Sequence, residues 1–196
     1  MVIQQLIETM GRKAKNAAAA LAVLKPEDKN RALRCMADAF LSHRDEIKIE
    51  NQKDMNAGED KGLSKAMLDR LLLNDKRIDE MAQALRAVAE LDDPVGEIFD
   101  MRVRPNGIKI GRMRCPIGVI GIIYESRPNV TADAACLCVK SGNAVILRGG
   151  SEAINSNRIL ARLMSEAGIA SGLPEGSVQL VDTVDRAAVT ALLHAN

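Results

Sequence analysis

Apolar residues recur at helical spacing through the first half of the chain and at strand spacing after it. Residues 2–24 predict an Ala-rich helix, with apolar side chains at 3, 6, 7 and 10 and again after 17. Pro26, Glu27 and Asp28 mark a second start, since proline suits a first helical turn and acids suit its dipole. Along this second helix Leu33, Met36, Phe40 and Ile47 form one stripe, with Arg and Lys opposite. Polar and glycine positions predict a loop around residues 53–63. Asn74 then caps a third long helix carrying Ile78, Met81, Ala82, Leu85, Val88 and Ala89, and Pro94 and Gly96 end the helical region. From Phe99 to Arg114 the period becomes two on either side of Pro105-Asn106-Gly107, a hairpin signal. The alternation of Met, Val and Ile with Arg and Lys predicts one buried face and one basic exposed face. That basic face fits a solvated or subunit-facing edge better than an anion site.

The stretch from Cys115 to Glu152 organises the second half of the chain. Ile117 to Ile123 is apolar and broken only by Gly118 and Gly121, so it predicts a strand buried on both faces of a parallel sheet. Glu125, Ser126, Arg127, Pro128 and Asn129 stand directly at its carboxyl end, where open α/β sheets bind ligands. An Ala-rich helix is expected over Thr131–Lys140, ended by Gly142 and Asn143. Ala144–Leu147 predicts a second buried strand, again closed by a charge, Arg148. Gly149 and Gly150 allow a sharp turn, Ser151 is the expected N-cap, and Glu152 falls in the first turn of the next helix. That helix covers Ala153–Gly168 with Ile154, Leu160, Leu163 and Met164 inward. A third strand, Ser177–Val181, and a last helix, Arg186–His194 with caps offered by Asp182, Thr183 and Asp185, complete the order. The fold class is therefore α/β: N-terminal helices and a β-hairpin leading into a parallel, Rossmann-like sheet with right-handed crossovers. Neither G-x-G-x-x-G nor G-x-x-x-x-G-K-[ST] follows the first strand, so a nucleotide would be held without the usual phosphate turn.

Composition narrows the function classes. A net charge of +1 gives no reason to expect nucleic acid or an anionic membrane, and 2% aromatics with no Trp leave no stacking platform for bases. No apolar run approaches the roughly 20 residues that span a bilayer. The N-terminus lacks the basic start and apolar core of a signal peptide, so a soluble, cytoplasmic protein is expected. Cysteines 35, 115, 136 and 138 suit reduced thiols, and the spacing of Cys136 and Cys138 suits neither a disulfide nor a zinc knuckle. Both are expected to be small buried hydrophobes, and no metal site is expected. His43, without a second histidine near it in sequence, reads as structural.

The run PIGVIGIIYESRPNVTADAACLCVKSGNAVILRGGSEAINSN resembles the γ-glutamyl phosphate reductase family, a divergent branch of the aldehyde dehydrogenase superfamily. YESRPNVTADA and SGNAVILRGGSEA are long and unusual, and the N-terminal helices, the hairpin and EAGIASGLPEGSVQLVDTVDR match too, so the resemblance covers all 196 residues. It implies NADPH-dependent reduction of γ-glutamyl phosphate to glutamate 5-semialdehyde and phosphate, in proline biosynthesis. The family's mechanism uses a cysteine thiolate, which attacks the acyl phosphate and leaves readily once hydride has been accepted. None of the four cysteines matches that position. The resemblance thus implies the N-terminal half of the enzyme: a helical part of the cofactor domain at 1–97, an oligomerisation-type hairpin at 98–115, and an incomplete NADP-binding half at 116–196.

Residue by residue, the resemblance puts Arg127 where the superfamily carries an oxyanion-binding Asn; an ion pair with Glu125 is the plain alternative. Arg148 falls where most members have a Lys on the adenosine ribose, and Ser151 where NAD-dependent members have a Glu on its hydroxyls. Arg148, Gly149, Gly150 and Ser151 are thereby assigned to NADPH/NADP, and Glu125, Ser126 and Asn129 to the substrate; a capped turn without cofactor contact is the alternative for the Arg148 corner. The partners implied are γ-glutamyl phosphate, further copies in a homo-oligomer of the complete enzyme, and glutamate 5-kinase as pathway neighbour. An inactive NADP-binding or oligomerisation fragment is the competing expectation.

Overall fold

Five helices precede the first strand in the computed structural model, which describes residues 3–195. Helix α1 (Ile3–Leu21) buries Ile7, Met10, Ala14, Ala17, Ala18 and Leu21; it stops three residues short of the expected end, and Val2, its expected start, lies outside the described residues. Helix α2 (Pro26–Ser42) begins at the proline, with Glu27 and Asp28 in its first turn. The single second helix expected from the apolar stripe is in fact two. Ser42 and His43 turn their side chains back onto the carbonyls of Asp38 and Ala39, which competes with helix continuation. Helix α3 (Arg44–Asp60) then restarts, with Asp45 and Glu46 in its first turn. Leu33, Met36, Phe40 and Ile47 are nonetheless all fully buried.

The loop expected over residues 53–63 is mostly helix, because α3 runs to Asp60. Its inward face is polar: Asn51 and Asp54 are each 2% exposed and hydrogen-bonded to other elements, so the hydrophobic pattern could not reveal it. A short helix α4 (Lys65–Leu71), capped by Ser64, was not expected at all. Helix α5 (Asp75–Glu90) is capped as expected, with Asn74 Oδ1 accepting from Arg77 N at 2.9 Å. A buried ion pair, Lys29 Nζ to Asp93 at 2.5 Å, ties α2 to the chain that leaves α5.

Strands β1 (Ile98–Val103) and β2 (Lys109–Met113) form the antiparallel hairpin around the expected turn. The expected buried face is absent: apart from half-buried Phe99, every residue of both strands is exposed, Val103 and Met113 among them. Among the described residues nothing covers the ribbon.

The second sheet is parallel, in the order β3 (Val119–Ile123), β4 (Ala144–Arg148), β5 (Val178–Leu180). Helix α6 (Pro128–Lys140) joins the first pair and α7 (Ile154–Ala170) the second, and α8 (Ala187–Leu193) comes last. Helices α6 and α7 pack together on one face of the sheet and α1 with α8 on the other, while α2 and α5 pack on α6 and α3 on α7. Central β4 is buried at every position. Strand β3 is an edge strand and only half-buried, with Ile123 42% exposed, so burial on both faces holds for β4 alone. An unbroken apolar run marks a strand without distinguishing centre from edge.

Helix α6 starts at Pro128 rather than Thr131 and ends as expected. Gly142 N bonds to Val139 O at 3.0 Å and Asn143 N to Cys138 O at 2.8 Å, a left-handed termination that needs the glycine at φ +74°. The Asn143 side chain then accepts from Gly118 N at 2.8 Å and aligns the starts of β3 and β4. Among the described residues no helix is long and apolar enough to cross a membrane.

Candidate functional site

Parallel pairing puts the carboxyl ends of β3 and β4 side by side: Ile123 faces Arg148, and Tyr124 N continues the ladder to Arg148 O at 3.0 Å. Both strands release their chains there into charged, glycine-rich corners. These corners, with α4 and the start of α8, enclose a cleft of about 700 Å³. Glu125, Ser126, Arg127, Arg148, Gly150 and Ser151 all line it. Two nominated residues do not. Gly149 points into the protein, and Asn129 lies in an adjoining cleft whose wall includes Arg127.

Arg148 is the buried cation of the site, 7% exposed. Its Nη1 donates to Gly149 O and its Nη2 to Val184 O at 3.2 Å, while Nε has no partner. Among the described residues no carboxylate pairs with it. A buried guanidinium balanced only by carbonyl dipoles attracts an anion. The two glycines after it make close approach possible. A Cβ on Gly149 would collide with Asn157 Nδ2 and stand 2.9 Å from the Tyr124 ring; one on Gly150 would collide with Ser126 Oγ. A larger residue at Gly150 would push on Ser126, a wall of the cleft itself.

Ser151 is not the N-cap expected of it. It opens a single 3-10 turn, Ser151–Ala153, and its hydroxyl donates to Glu152 at 3.0 Å. The cap of α7 comes from Asp54 on α3, whose carboxylate accepts from Asn155 N at 3.1 Å, Asn155 Nδ2 at 2.9 Å, Ser156 N at 2.7 Å and Ser156 Oγ at 2.6 Å. A carboxylate at the positive end of α7 is favourable on dipole grounds as well. The α3 helix therefore fixes the start of α7, and with it the turn that carries Ser151 and Glu152.

Glu152 bridges the two corners, accepting from Ser126 Oγ as well as from Ser151. The Ser126 hydroxyl, ahead of any other influence, holds this carboxyl below its ordinary range against the opposing effect of burial. Arg127 is exposed, and among the described residues no ion pair joins it to Glu125; they share only a backbone bond, Arg127 N to Glu125 O at 2.9 Å. Behind the cleft Tyr124 Oη and Thr131 Oγ1 are 2.6 Å apart, and Thr131 donates to Asn157 at 2.9 Å. Burial pushes the Tyr124 phenol up to about 12, so it is a neutral hydrogen-bonding post at working pH.

Three charged lining residues escaped sequence reasoning: Arg70, Arg186 and Glu152. Arg70 is on the unexpected helix α4, and Glu152 has the ordinary signature of a first-turn acid. The cleft thus gathers four guanidinium groups, on Arg70, Arg127, Arg148 and Arg186, against the carboxylates of Glu125 and Glu152. Its balance favours an anionic ligand. The cysteines take no part in it. Cys136 and Cys138 are buried, and burial above all pushes their thiols up to about 12 and about 11, as expected of small hydrophobes; Cys115 is exposed on the far side of β3.

Comparison with known proteins places this geometry. The model of the aldehyde dehydrogenase family matches residues 3–196. A γ-glutamyl phosphate reductase of Moorella thermoacetica is 58% identical over 190 residues, 97% of this chain and 46% of its own length. That of Halothermothrix orenii is 55% identical over 99% of this chain and 46% of its own. Among solved structures, γ-glutamyl phosphate reductase from Thermotoga maritima superposes with a TM-score of 0.92 at 42% identity, over 95% of this chain and 45% of that one. A probable aldehyde dehydrogenase from Listeria monocytogenes, 14% identical over 99% of this chain and 40% of that one, shares the fold at a TM-score of 0.72. The chain spans about half the length of the curated relatives it matches.

Proposed function

The chain belongs to the aldehyde dehydrogenase family, and we propose that it supplies the cofactor cleft and one substrate wall of an NADPH-dependent γ-glutamyl phosphate reductase. Such an enzyme yields glutamate 5-semialdehyde and phosphate. The observation that carries this reading is the convergence of Arg127, Arg148 and the Gly150-Ser151 turn on one cleft rich in guanidinium groups at the carboxyl ends of two parallel strands. Reductases of that name, more than half identical over nearly the whole chain, support it.

The residues present fit a phosphorylated dinucleotide. The unpartnered Nε of buried Arg148 offers a charge-assisted contact to a 2′-phosphate, and the unsubstituted Cα atoms of Gly149 and Gly150 let the backbone approach it. Ser151, unlike a carboxylate, does not repel that phosphate. When bound, the cofactor supplies hydride. Arg127, exposed beside the cleft, is positioned to stabilise negative charge on an acyl phosphate or on the oxyanion formed from it. The Ser126 hydroxyl favours the charged form of Glu152, and in this reading Glu125 and Ser126, which line the same cleft, serve the substrate.

The thiolate nucleophile comes from beyond Asn196 in this reading. No cysteine of the chain lines the cleft, which favours an inactive part-enzyme when the chain is alone. The bare apolar residues of the hairpin, Ile98, Val103, Ile110 and Met113, suit an oligomer contact, with residues 98–115 as the assembling unit between a helical part at 1–97 and the NADP-binding half at 116–196. A cytoplasmic setting beside glutamate 5-kinase completes the proposal. The test is phosphate-dependent oxidation of glutamate 5-semialdehyde with NADP by the complete enzyme. Arg127→Ala should lower kcat/KM by roughly a hundredfold or more, the usual loss for one oxyanion donor. A variant as active as the parent would remove Arg127 from the reaction.

A further inference from the structure

A second cleft of about 450 Å³ shares two side chains, Arg70 and Arg127, with the cofactor cleft and lies on their other side, between α4, α5 and the first turns of α6. Its charges are unequal in availability. Arg77 is committed: it donates to both oxygens of Asp69, at 3.0 and 3.1 Å, and to the carbonyl of Leu72 at 2.9 Å, pinning α4 to α5. Asp69 is satisfied by the same contacts. Arg70 has no ion-pair partner among the described residues, and neither has Asp133. Asp133 is half-buried on α6 and receives a single neutral donor, Asn129 Nδ2 at 3.2 Å. Burial, ahead of the opposing Asn129 bond, raises its carboxyl above the ordinary range, as happens to an anion short of compensation. The cleft thus presents the half-buried Asp133 carboxylate and the exposed Arg70 guanidinium, neither in an ion pair among the described residues, with exposed Glu80 on the same lining, beside the residue assigned to the reacting carbonyl.

We propose that this second cleft receives the zwitterionic α-carbon of an amino-acid substrate, with Asp133 taking the ammonium group and Arg70 the α-carboxylate. The proposal deepens the reductase reading and names the part of the substrate on which the cofactor cleft is silent. An acyl group directed at Arg127 leaves the far end of a short amino-acid side chain pointing into this cleft. Asn129, assigned to the substrate on sequence grounds, then acts by orienting the Asp133 carboxylate from one helical turn away.

Ligand-observed NMR titrations of the 196-residue chain decide the matter with L-glutamate and with glutarate and N-acetyl-L-glutamate, which lack the cation. L-Glutamate should bind about tenfold tighter than either analogue, the discrimination expected of one charge-assisted contact. Asp133→Asn should erase that difference while leaving glutarate affinity unchanged. Equal binding of the three ligands by the parent chain, or no binding of L-glutamate at millimolar concentration, overturns the proposal without any variant. So does a loss shared equally by L-glutamate and glutarate in Asp133→Asn. A parallel NADPH titration separates this from the reductase reading: lost glutamate discrimination with intact NADPH binding refutes the zwitterion site alone, and the converse refutes the cofactor assignment alone.

Discussion

Replacing Asp54 by alanine should be among the costlier polar substitutions in the chain, although Asp54 lines neither cleft. Its carboxylate, 2% exposed, accepts four hydrogen bonds from the first residues of α7. Asn155 Nδ2 and Ser156 Oγ have freedom to turn elsewhere once it is gone. The two backbone N–H groups do not, and Ser156 is fully buried. A lost cap typically costs about 1 kcal/mol and a stranded buried donor about 1–3 kcal/mol. Loss of a carboxylate at the helix dipole adds roughly 0.5–1 kcal/mol more. The sum is about 2.5–5 kcal/mol, a large part of the roughly 5–15 kcal/mol that holds a domain together. Urea unfolding monitored by far-UV circular dichroism should show the midpoint falling by about 0.8–1.7 M, taking a slope near 3 kcal/mol per M. Asp54→Asn, which keeps one carbonyl oxygen but turns an NH2 group toward donors, should lie between alanine and the parent. The same variants should weaken ligand binding at the cleft, since α7 anchors the Ser151–Glu152 turn. A loss below about 1 kcal/mol in Asp54→Ala would refute the reasoning, and would mean that water or Asn51 caps α7 equally well.

Gly149→Ala should destabilise the chain by about 1–3 kcal/mol and lower affinity at the cleft, because its Cβ meets Asn157 and the Tyr124 ring; calorimetry with a binding titration checks both. Glu152→Gln should make stability less dependent on pH on the acid side. The native carboxyl keeps its charge below its ordinary value of 4.5, so its stabilisation is complete above that pH and fades as pH falls through the native value. Unfolding midpoints of parent and variant should therefore converge as pH falls below 4.5, and a constant gap would contradict the Ser126–Glu152 bond.

The sequence announces its apolar surfaces and hides its polar ones. Helix α5 was legible because Asn74 and the Ile78–Leu85 stripe obey spacing rules that tertiary contacts only reinforce. The glycine end of α6 was legible for the same reason. Helix α3 beyond residue 53 was not, since its inward residues are Asn51 and Asp54, whose partners Leu71, Leu73 and Ser156 are remote in sequence. Strand β3 read as buried on both sides because composition cannot say which strand stands at the edge, and the hairpin's apolar residues carry no mark of what they pack against. Most of the strand-end residues that line the cleft were legible from their position and chemistry. Arg70 and Arg186 were not, because only folding brings α4 and the start of α8 to those strand ends.

The central claim is that the Arg148 corner holds the phosphorylated end of NADPH. Equilibrium titration of the chain with NADPH and with NADH, read by reduced-nicotinamide fluorescence, tests it without requiring turnover. NADPH should bind more tightly than NADH, and Arg148→Ala should lose roughly ten- to a hundredfold in affinity for NADPH alone, the usual worth of a charge-assisted contact. Equal affinity for the two cofactors in the parent, or an unchanged ratio in the variant, would contradict the claim and leave Arg148 a structural residue that ties β4 to the carbonyl of Val184.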